Sequence, residues 1–328
     1  MKMSDLANVW DLPAPWQIEP MSGSAHNHLA LIVAANQQHA VLCTYSNDAP
    51  ASFGYMQAVL QALTAQKLPF ALPLPLHTHS GTSLYRHDDG YRTWVMTMLP
   101  WFSGDHPTVD DGDACFHAGR VHAQLLTALE SVTVSESSPP PYMTLNRVHP
   151  YIIDPLAALR VAPLQNDQIK QLARIVETLQ AELPAYYAEL PRQIIHGDFV
   201  PSNVLVNQGM VSAVLDFELC RSDVRVLDVA LAMLAWGGFG DTYDEAAMLR
   251  FGQGFAQIST LADAEIAAIP TMMRLAHVIR LLSALGRFQQ GFERSVVVER
   301  AAMSLLTLDT WLQGYRDTLI TDVQRWWL

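Results

Sequence analysis

Between Ile195 and Glu218 the chain reads Ile195-His196-Gly197-Asp198-Phe199-Val200-Pro201-Ser202-Asn203-Val204-Leu205-Val206, and then Val214-Leu215-Asp216-Phe217-Glu218. This segment restricts the fold more than any other. Apolar residues at Val204 to Val206 and at Val211, Val214 and Leu215 predict two short strands, and Asn207-Gln208-Gly209 is a turn sequence between them. A hairpin built on that turn brings Asn203 and Asp216 to one end, with Asp198 five residues ahead of Asn203. Taken singly, each aspartate reads as a loop or cap residue. The set of His, Asp, Asn, Asp and Phe at fixed offsets is a different matter. It arises by chance about once in a million starting positions if each type has a frequency near one in twenty.

Two hard oxygen ligands facing one point, with a carboxylate close by, suit phosphoryl transfer. Mg²⁺ prefers carboxylate, amide and phosphate oxygens, and the attacking hydroxyl must be oriented by a nearby base. On this reading Asp198 takes the acceptor's proton while Asn203 and Asp216 hold the metal.

The segment is an island in a chain of two textures. Up to Leu99 the sequence predicts strands at Trp16–Pro20, His28–Ala34, Ala40–Tyr45, Thr82–Arg86 and Tyr91–Leu99, with turns at Asn36-Gln37-Gln38 and Asp88-Asp89-Gly90. Apolar residues at Tyr55, Met56, Val59, Leu60 and Leu63 give one helix within 51–66. Pro100-Trp101-Phe102-Ser103-Gly104 breaks the pattern. Beyond it, helices are expected at Asp113–Leu129, Asp167–Glu189, Val226–Trp236, Tyr243–Ile258, Ala262–Leu285 and Val296–Tyr315, with a surface excursion at Ser131–Pro141. The expected division is therefore 1–99, a β-rich lobe, and 100–328, a mainly helical lobe.

The island resembles the catalytic and metal-binding loops of the aminoglycoside phosphotransferase, choline kinase and type II homoserine kinase superfamily. The resemblance implies an α+β, two-lobe protein-kinase-like fold: a small antiparallel sheet with one helix binds ATP, and a larger helical lobe carries the catalytic loop and the acceptor site. It implies ATP as donor, Mg²⁺ as cofactor and a small-molecule hydroxyl as acceptor. Carried over by position, Asp198 is the catalytic base, Asn203 and Asp216 are Mg²⁺ ligands, and His196 braces the loop. Arg225-Val226-Leu227-Asp228-Val229-Ala230 resembles the family's Arg-x-x-Asp-Leu-Ala segment, whose Asp supports that loop from below. Met21 to His28 stands where the family has its phosphate loop, so Ser22, Gly23, Ser24 and Asn27 are expected at the nucleotide, along with Met98 in the hinge-like stretch Met96–Trp101.

The departures from that family concern charge. Lining up Val41-Leu42-Cys43-Thr44-Tyr45 with the strand that normally carries a phosphate-binding cation puts Cys43 in its place. The following helix offers Met56 or Gln57 where a glutamate would pair with the cation. Between Glu19 and Lys67 the one charged side chain is Asp48, and the whole chain has only Lys2, Lys67 and Lys170. Losing both partners leaves no buried lone charge, but the α/β-phosphates then depend on Mg²⁺, backbone amides or a remote cation such as Arg86 or Arg92. Two readings follow: a working kinase with a reorganised nucleotide site, or a relative that binds on the same scaffold without transfer.

Acceptor clues are sparse. Asp216-Phe217-Glu218 resembles choline kinases, where Glu218 would suit a cationic amino alcohol. Chain size, Leu68-Pro69-Phe70-Ala71-Leu72-Pro73 and Leu285-Gly286-Arg287-Phe288 resemble type II homoserine kinases. Arg280 and Arg287, seven apart on one helix face, are candidates for a substrate carboxylate, against the alternative of a solvated face. Trp236 and Trp101 are candidates to line an acceptor pocket, against the alternative of core packing. A formal net charge of −12 disfavours nucleic acid and anionic membranes as partners. Cys43, Cys115 and Cys220 form no metal or disulfide spacing. The N-terminus shows no export pattern, and the apolar run Val229–Gly240 is too short for a bilayer. A cytoplasmic location is the expectation.

Overall fold

A computed structural model describes residues 3–21, 27–34, 37–45, 51–238 and 243–327. The early alternating segments form β1 (Trp16–Met21), β2 (Asn27–Ala34), β3 (Gln37–Tyr45), β4 (Tyr85–Asp88) and β5 (Thr93–Pro100), an antiparallel sheet in the order β1-β2-β3-β5-β4. Period-two alternation divides its faces. Ala40 and Leu42 of β3 and Met96 and Met98 of β5 pack beneath a 3-10 turn at Met3–Asn8, with Leu6 and Trp10 buried against them. Cys43, Tyr45 and Val95 point the other way, into the core that also holds α1 (Phe53–Thr64). Tyr45 and Phe53 meet edge to face across this junction, 6.4 Å apart.

Three differences from the sequence expectation in the sheet have a local reason. Gln37 and Gln38 lie in the ladder opposite Ala34 and Val33 rather than in a turn. The strand expected from Thr82 begins at Tyr85, because Thr78, Ser80 and Thr82 hydrogen-bond their hydroxyls to one another in a loop of their own. Tyr91 and Arg92 stay outside β5 because both of their N–H groups donate to Asp89 Oδ1.

The rest is α2 (Gly112–Glu130), α3 (Pro155–Arg160), α4 (Asn166–Glu189), β6 (Arg192–Ile195), β7 (Val204–Asn207), β8 (Met210–Val214), β9 (Arg221–Val224), α5 (Arg225–Trp236), α6 (Glu245–Ala256), α7 (Asp263–Gln289) and α8 (Ser295–Gln324). The fold is mixed α+β, with an N-terminal antiparallel sheet and a larger helical C-terminal region. Asp111 caps α2 by accepting from Asp113 and Ala114 N–H, offsetting two of the orphan donors at a helix start. Gly119 of α2 and Gly254 of α6 let these helices touch: a Cβ on either would strike the other's backbone. That approach sets Phe251 and Phe255 of α6 against His122 of α2.

In α5 every residue from Val226 to Trp236 is buried. Among the described residues α7 is the one helix long and apolar enough to cross a bilayer, and 78% of its most apolar window is buried inside the fold. A polar strand pair, β6 with β9, and a hairpin, β7 with β8, are set among the helices. Ala71, after α1, bridges to β8 through Ala71 N–H to Ser212 O (2.8 Å) and Val214 N–H to Ala71 O (3.1 Å). The hairpin is thereby tied to the chain that leaves the sheet.

Candidate active site

The site is built at the ends of β6 and of the hairpin. Ile194 and Ile195 are buried in β6 and lead into His196-Gly197-Asp198. Gly197 has φ +80°, and a Cβ there would press on Leu219 O, so glycine is required. Its N–H and that of His196 both donate to Asp228, at 2.7 and 3.1 Å. Asp228 is fully buried in the first turn of α5 and also accepts from His122 Nε2 at 3.0 Å. Burial alone would raise its pKa. The hydrogen bonds from His122 and from the Gly197 N–H outweigh burial and hold the carboxyl below the ordinary range.

His196 is also buried, and burial lowers its pKa. Its Nδ1 accepts from Asp198 N–H at 3.2 Å, which assigns the proton to Nε2, and Nε2 donates to Leu215 O at 3.0 Å. One imidazole therefore links the backbone of Asp198 to the residue before Asp216. Phe217 packs on the same ring, 4.5 Å away.

Asn203 is held by the hairpin, through Leu215 N–H to Asn203 O at 2.8 Å. The turn residues Gln208 and Gly209 have φ of 51° and 76°, the left-handed pair of a tight hairpin turn. Asn203 Nδ2 donates to Asp198 Oδ2 at 2.8 Å and to Asp198 O at 3.0 Å. That spends both amide protons and leaves Oδ1 as a pure acceptor. Asp216 follows with φ +59°, a strained conformation for a side chain of its type and one that concentrates at functional sites. Its carboxylate is solvent-exposed, while Phe217 beside it is buried. Burial and then the charge of Asp216 raise Asp198 to about 6, against the lowering effect of the Asn203 bond and of Arg280. Three of the expected residues, Asp198, Asn203 and Asp216, thus stand together.

The Asn203 amide oxygen and the Asp216 carboxylate, next to the second carboxylate of Asp198, form a donor set that fits Mg²⁺. Among the described residues no cluster of three or more His, Cys, Asp or Glu has metal-holding geometry. Mg²⁺ sites are commonly built from one or two carboxylates together with water and substrate phosphates.

The β3 side is acidic. Cys43 is buried, and burial, Glu218 and Asp216 push its thiol up to about 12. Glu218 faces Tyr45, whose hydroxyl lowers a carboxyl that burial and Asp216 raise to about 7. Gln57 of α1 donates to Ser83 Oγ at 2.8 Å, and Met56 is buried. In place of an ion pair, Ser52 at the start of α1 donates to Glu218 O at 3.3 Å. Arg92 lies over the Trp94 ring at 3.1 Å. Ser22, Gly23 and Ser24 lie outside the described residues, as does the side chain of Asn27, whose backbone pairs with Tyr45. Met98 is fully buried on the opposite face of the sheet from Cys43, because the two differ in strand parity.

The remaining expected residues separate. Arg225 clamps Glu265 with Nε and Nη2, at 3.0 and 2.6 Å, and donates to Thr260 O, anchoring α5 to α7. Trp236 is fully buried and stacked on Phe251, 6.0 Å away; it is core. Arg287 pairs with Glu293 at 3.6 Å, about 10 Å along the helix from Arg280. Burial lowers the pKa of Arg280, and the charge of Asp198 opposes that shift.

Sequence reasoning missed two supports. His122 gave no signal beyond a lone histidine on an apolar helix, yet it is fully buried, bonded to Asp228 and stacked on Phe199 at 4.5 Å. The second is Asp223, which is fully buried and accepts from Tyr142 N–H at 2.7 Å. Arg221 lies over the Tyr142 ring at 3.6 Å and donates to Pro140 O, and Ser222 N–H donates to Ser138 Oγ. The Ser131–Pro141 excursion is therefore pinned at its far end to the segment that follows Asp216.

A model of the phosphotransferase enzyme family matches residues 17–262. The homoserine kinase of Gluconobacter oxydans is 30% identical over 223 residues, 65% of this chain and 65% of that protein. The homoserine kinase of Methylocella silvestris is 31% identical over 232 residues, 68% of this chain and 65% of that protein. The chain thus spans just under two thirds of the length of these curated relatives. Among solved structures, a microcompartment-associated aminopropanol kinase superposes with a TM-score of 0.73 at 16% identity, covering 96% of this chain and 97% of that one. The likeness to that structure is one of fold.

Proposed function

The chain belongs to the phosphotransferase enzyme family, and from that premise we propose that it transfers the γ-phosphoryl group of ATP, with Mg²⁺, to the hydroxyl of a small homoserine-like or amino-alcohol acceptor. The observation that carries the reading is the Asp198–Asn203 hydrogen bond with Asp216 at the same end of the hairpin. Asp198 Oδ2 is occupied by the Asn203 amide, which leaves Oδ1 to receive the acceptor's proton. In the balanced step the acceptor oxygen forms the new P–O bond, the bridging β–γ oxygen leaves on ADP, and the hydroxyl proton passes to Asp198. Asn203 Oδ1 and the Asp216 carboxylate would hold Mg²⁺, which when bound neutralises charge on the phosphates. His196 and Asp228 keep Asp198 and Asp216 in mutual register through backbone bonds.

One observation favours the second reading, a binding protein without transfer. Cys43 carries no charge where the family has a cation, and Glu218 adds a carboxylate there. The reading as an enzyme requires Asp216 with its metal to do the neutralising that the strand would otherwise share. Coupled measurement of ADP formation from Mg-ATP across homoserine, other hydroxy-amino acids, amino alcohols, thioribose sugars and aminoglycosides decides between them. Acceptor-dependent ADP release at least about tenfold above the water reaction is expected; a rate indifferent to every acceptor favours the binding protein.

A further inference from the structure

Resting on the phosphotransferase reading above, we infer that Ser52 is a positioning residue for the metal: its hydroxyl, at the start of α1, holds the loop that carries Asp216 in register with the sheet. Ser52 does not do what its place invites. It is the N-cap of α1, where a hydroxyl ordinarily accepts from N–H groups of the first turn, and it makes no such bond. Its backbone is helical, with φ −78° and ψ −5°, whereas a capping serine is extended. The hydroxyl is free to leave the helix, and it donates across 166 residues of sequence to Glu218 O at 3.3 Å.

That bond is one of two that reach the Asp216 segment from either side of α1. Ahead of Asp216, Val214 N–H donates at 3.1 Å to the carbonyl of Ala71, which follows α1 in the chain. Behind it, Glu218 O accepts from Ser52, which precedes α1. The segment from Val214 to Glu218 is thereby tethered at both ends to the same helical unit. Within it, Leu215 O is bonded to His196 and Phe217 is buried against the same ring. Asp216 alone is exposed, at φ +59°, a conformation that persists when the surroundings over-determine it.

The helical unit is in turn fixed to β3. Phe53, next to Ser52, is buried and meets Tyr45 edge to face at 6.4 Å. The hydroxyl therefore passes the position of β3 and α1 to the carboxylate that would take the metal. The Ala71 tether is made by backbone atoms alone, so the Ser52 tether is the one that a single side chain controls. Starting the helix does not require it: Ser52 O already accepts from Met56 N–H at 2.9 Å, and the hydroxyl adds nothing to the first turn. Its removal should spare α1 and loosen Asp216.

The test compares the wild type with Ser52→Ala and with Ser52→Thr, which keeps the hydroxyl. At a fixed concentration of a non-hydrolysable ATP analogue, calorimetric titration with Mg²⁺ gives the midpoint for the metal. Hydrogen exchange reads the amides of Tyr55 to Val59 with and without Mg²⁺. Ser52→Ala is expected to raise the midpoint about fivefold, the scale of one net hydrogen bond, with Tm changed by less than about 2 °C. Ser52→Thr is expected to restore most of that loss. Because coupling between sites is reciprocal, Mg²⁺ with the analogue is expected to slow exchange in α1 of the wild type and to slow it less in Ser52→Ala. An unchanged midpoint in Ser52→Ala overturns the inference, as does exchange in wild-type α1 that is indifferent to Mg²⁺. A raised midpoint that Ser52→Thr does not restore, or one accompanied by a larger fall in Tm, marks a folding role and overturns it too. Each of these results leaves the phosphotransferase reading standing, since the wild type still binds the analogue with Mg²⁺. No binding by the wild type removes both. The expected shift and rescue in a protein that releases ADP to no acceptor would keep the inference and remove the reading as an enzyme.

Discussion

Asp198→Asn is expected to lower kcat by roughly three orders of magnitude, within the range for loss of a positioned general base, while Mg-ATP still binds. The substitution keeps the shape of the side chain and an oxygen that can accept from Asn203 Nδ2, now 2.8 Å from Asp198 Oδ2. What it removes is the capacity to take a proton and a negative charge beside Asp216. Burial and Asp216 already press Asp198 toward its neutral form, so the amide suits the resting fold at least as well as the carboxylate. The melting temperature is therefore expected to hold or rise as the rate collapses. A variant that turns over like the wild type removes Asp198 from the chemistry.

The second large effect is on stability. Asp228→Ala deprives three donors at once of their fully buried carboxylate acceptor: His196 N–H, Gly197 N–H and His122 Nε2. Each buried donor left unmatched costs on the order of 1–3 kcal/mol. For a chain of this size that corresponds to a fall of about 10 °C in Tm. Transfer is expected to fail with it, because the two N–H groups that lose their acceptor flank Asp198. His122→Ala, which leaves the backbone bonds in place, is expected to cost clearly less. Differential scanning calorimetry checks both; a change under about 2 °C for Asp228→Ala would mean that the loop is held by other contacts.

The contrast between these residues shows what the sequence made legible. Asp198, Asn203 and Asp216 could be read because their chemistry needs fixed types at fixed offsets, and because Asn207-Gln208-Gly209 is a turn that sets the hairpin register. The helix at Tyr55 to Leu63 could be read because its buried face repeats with helical period. β9 could not: Arg221-Ser222-Asp223-Val224 is a polar strand whose buried carboxylate is satisfied by Tyr142, some eighty residues away. His122 was silent for the same reason, since its partner Asp228 lies on another helix more than a hundred residues on. Glu218 and Trp236 show the limit from the other side. Their types suited an acceptor pocket, but direction decides, and direction comes from tertiary packing: Glu218 turns to β3, and Trp236 into the aromatic stack between α5 and α6. Arg280 and Arg287 share a helix face in sequence, yet Glu293 just beyond the helix end engages Arg287.

On the proposed reading, a nucleotide site without its strand cation still works because Mg²⁺, which Asn203 and Asp216 would hold, would supply the neutralisation that Cys43 cannot. Calorimetric titration of the wild-type protein with ATP, with excess Mg²⁺ and again with EDTA, tests it most directly. With no cation on β3 and with Glu218 beside the phosphates' expected place, binding is predicted with Mg²⁺ and predicted to weaken at least about tenfold without it, the scale of one lost charge contact of about 1.4 kcal/mol. Equal affinity in EDTA, or no binding of Mg-ATP at millimolar nucleotide, would contradict the account.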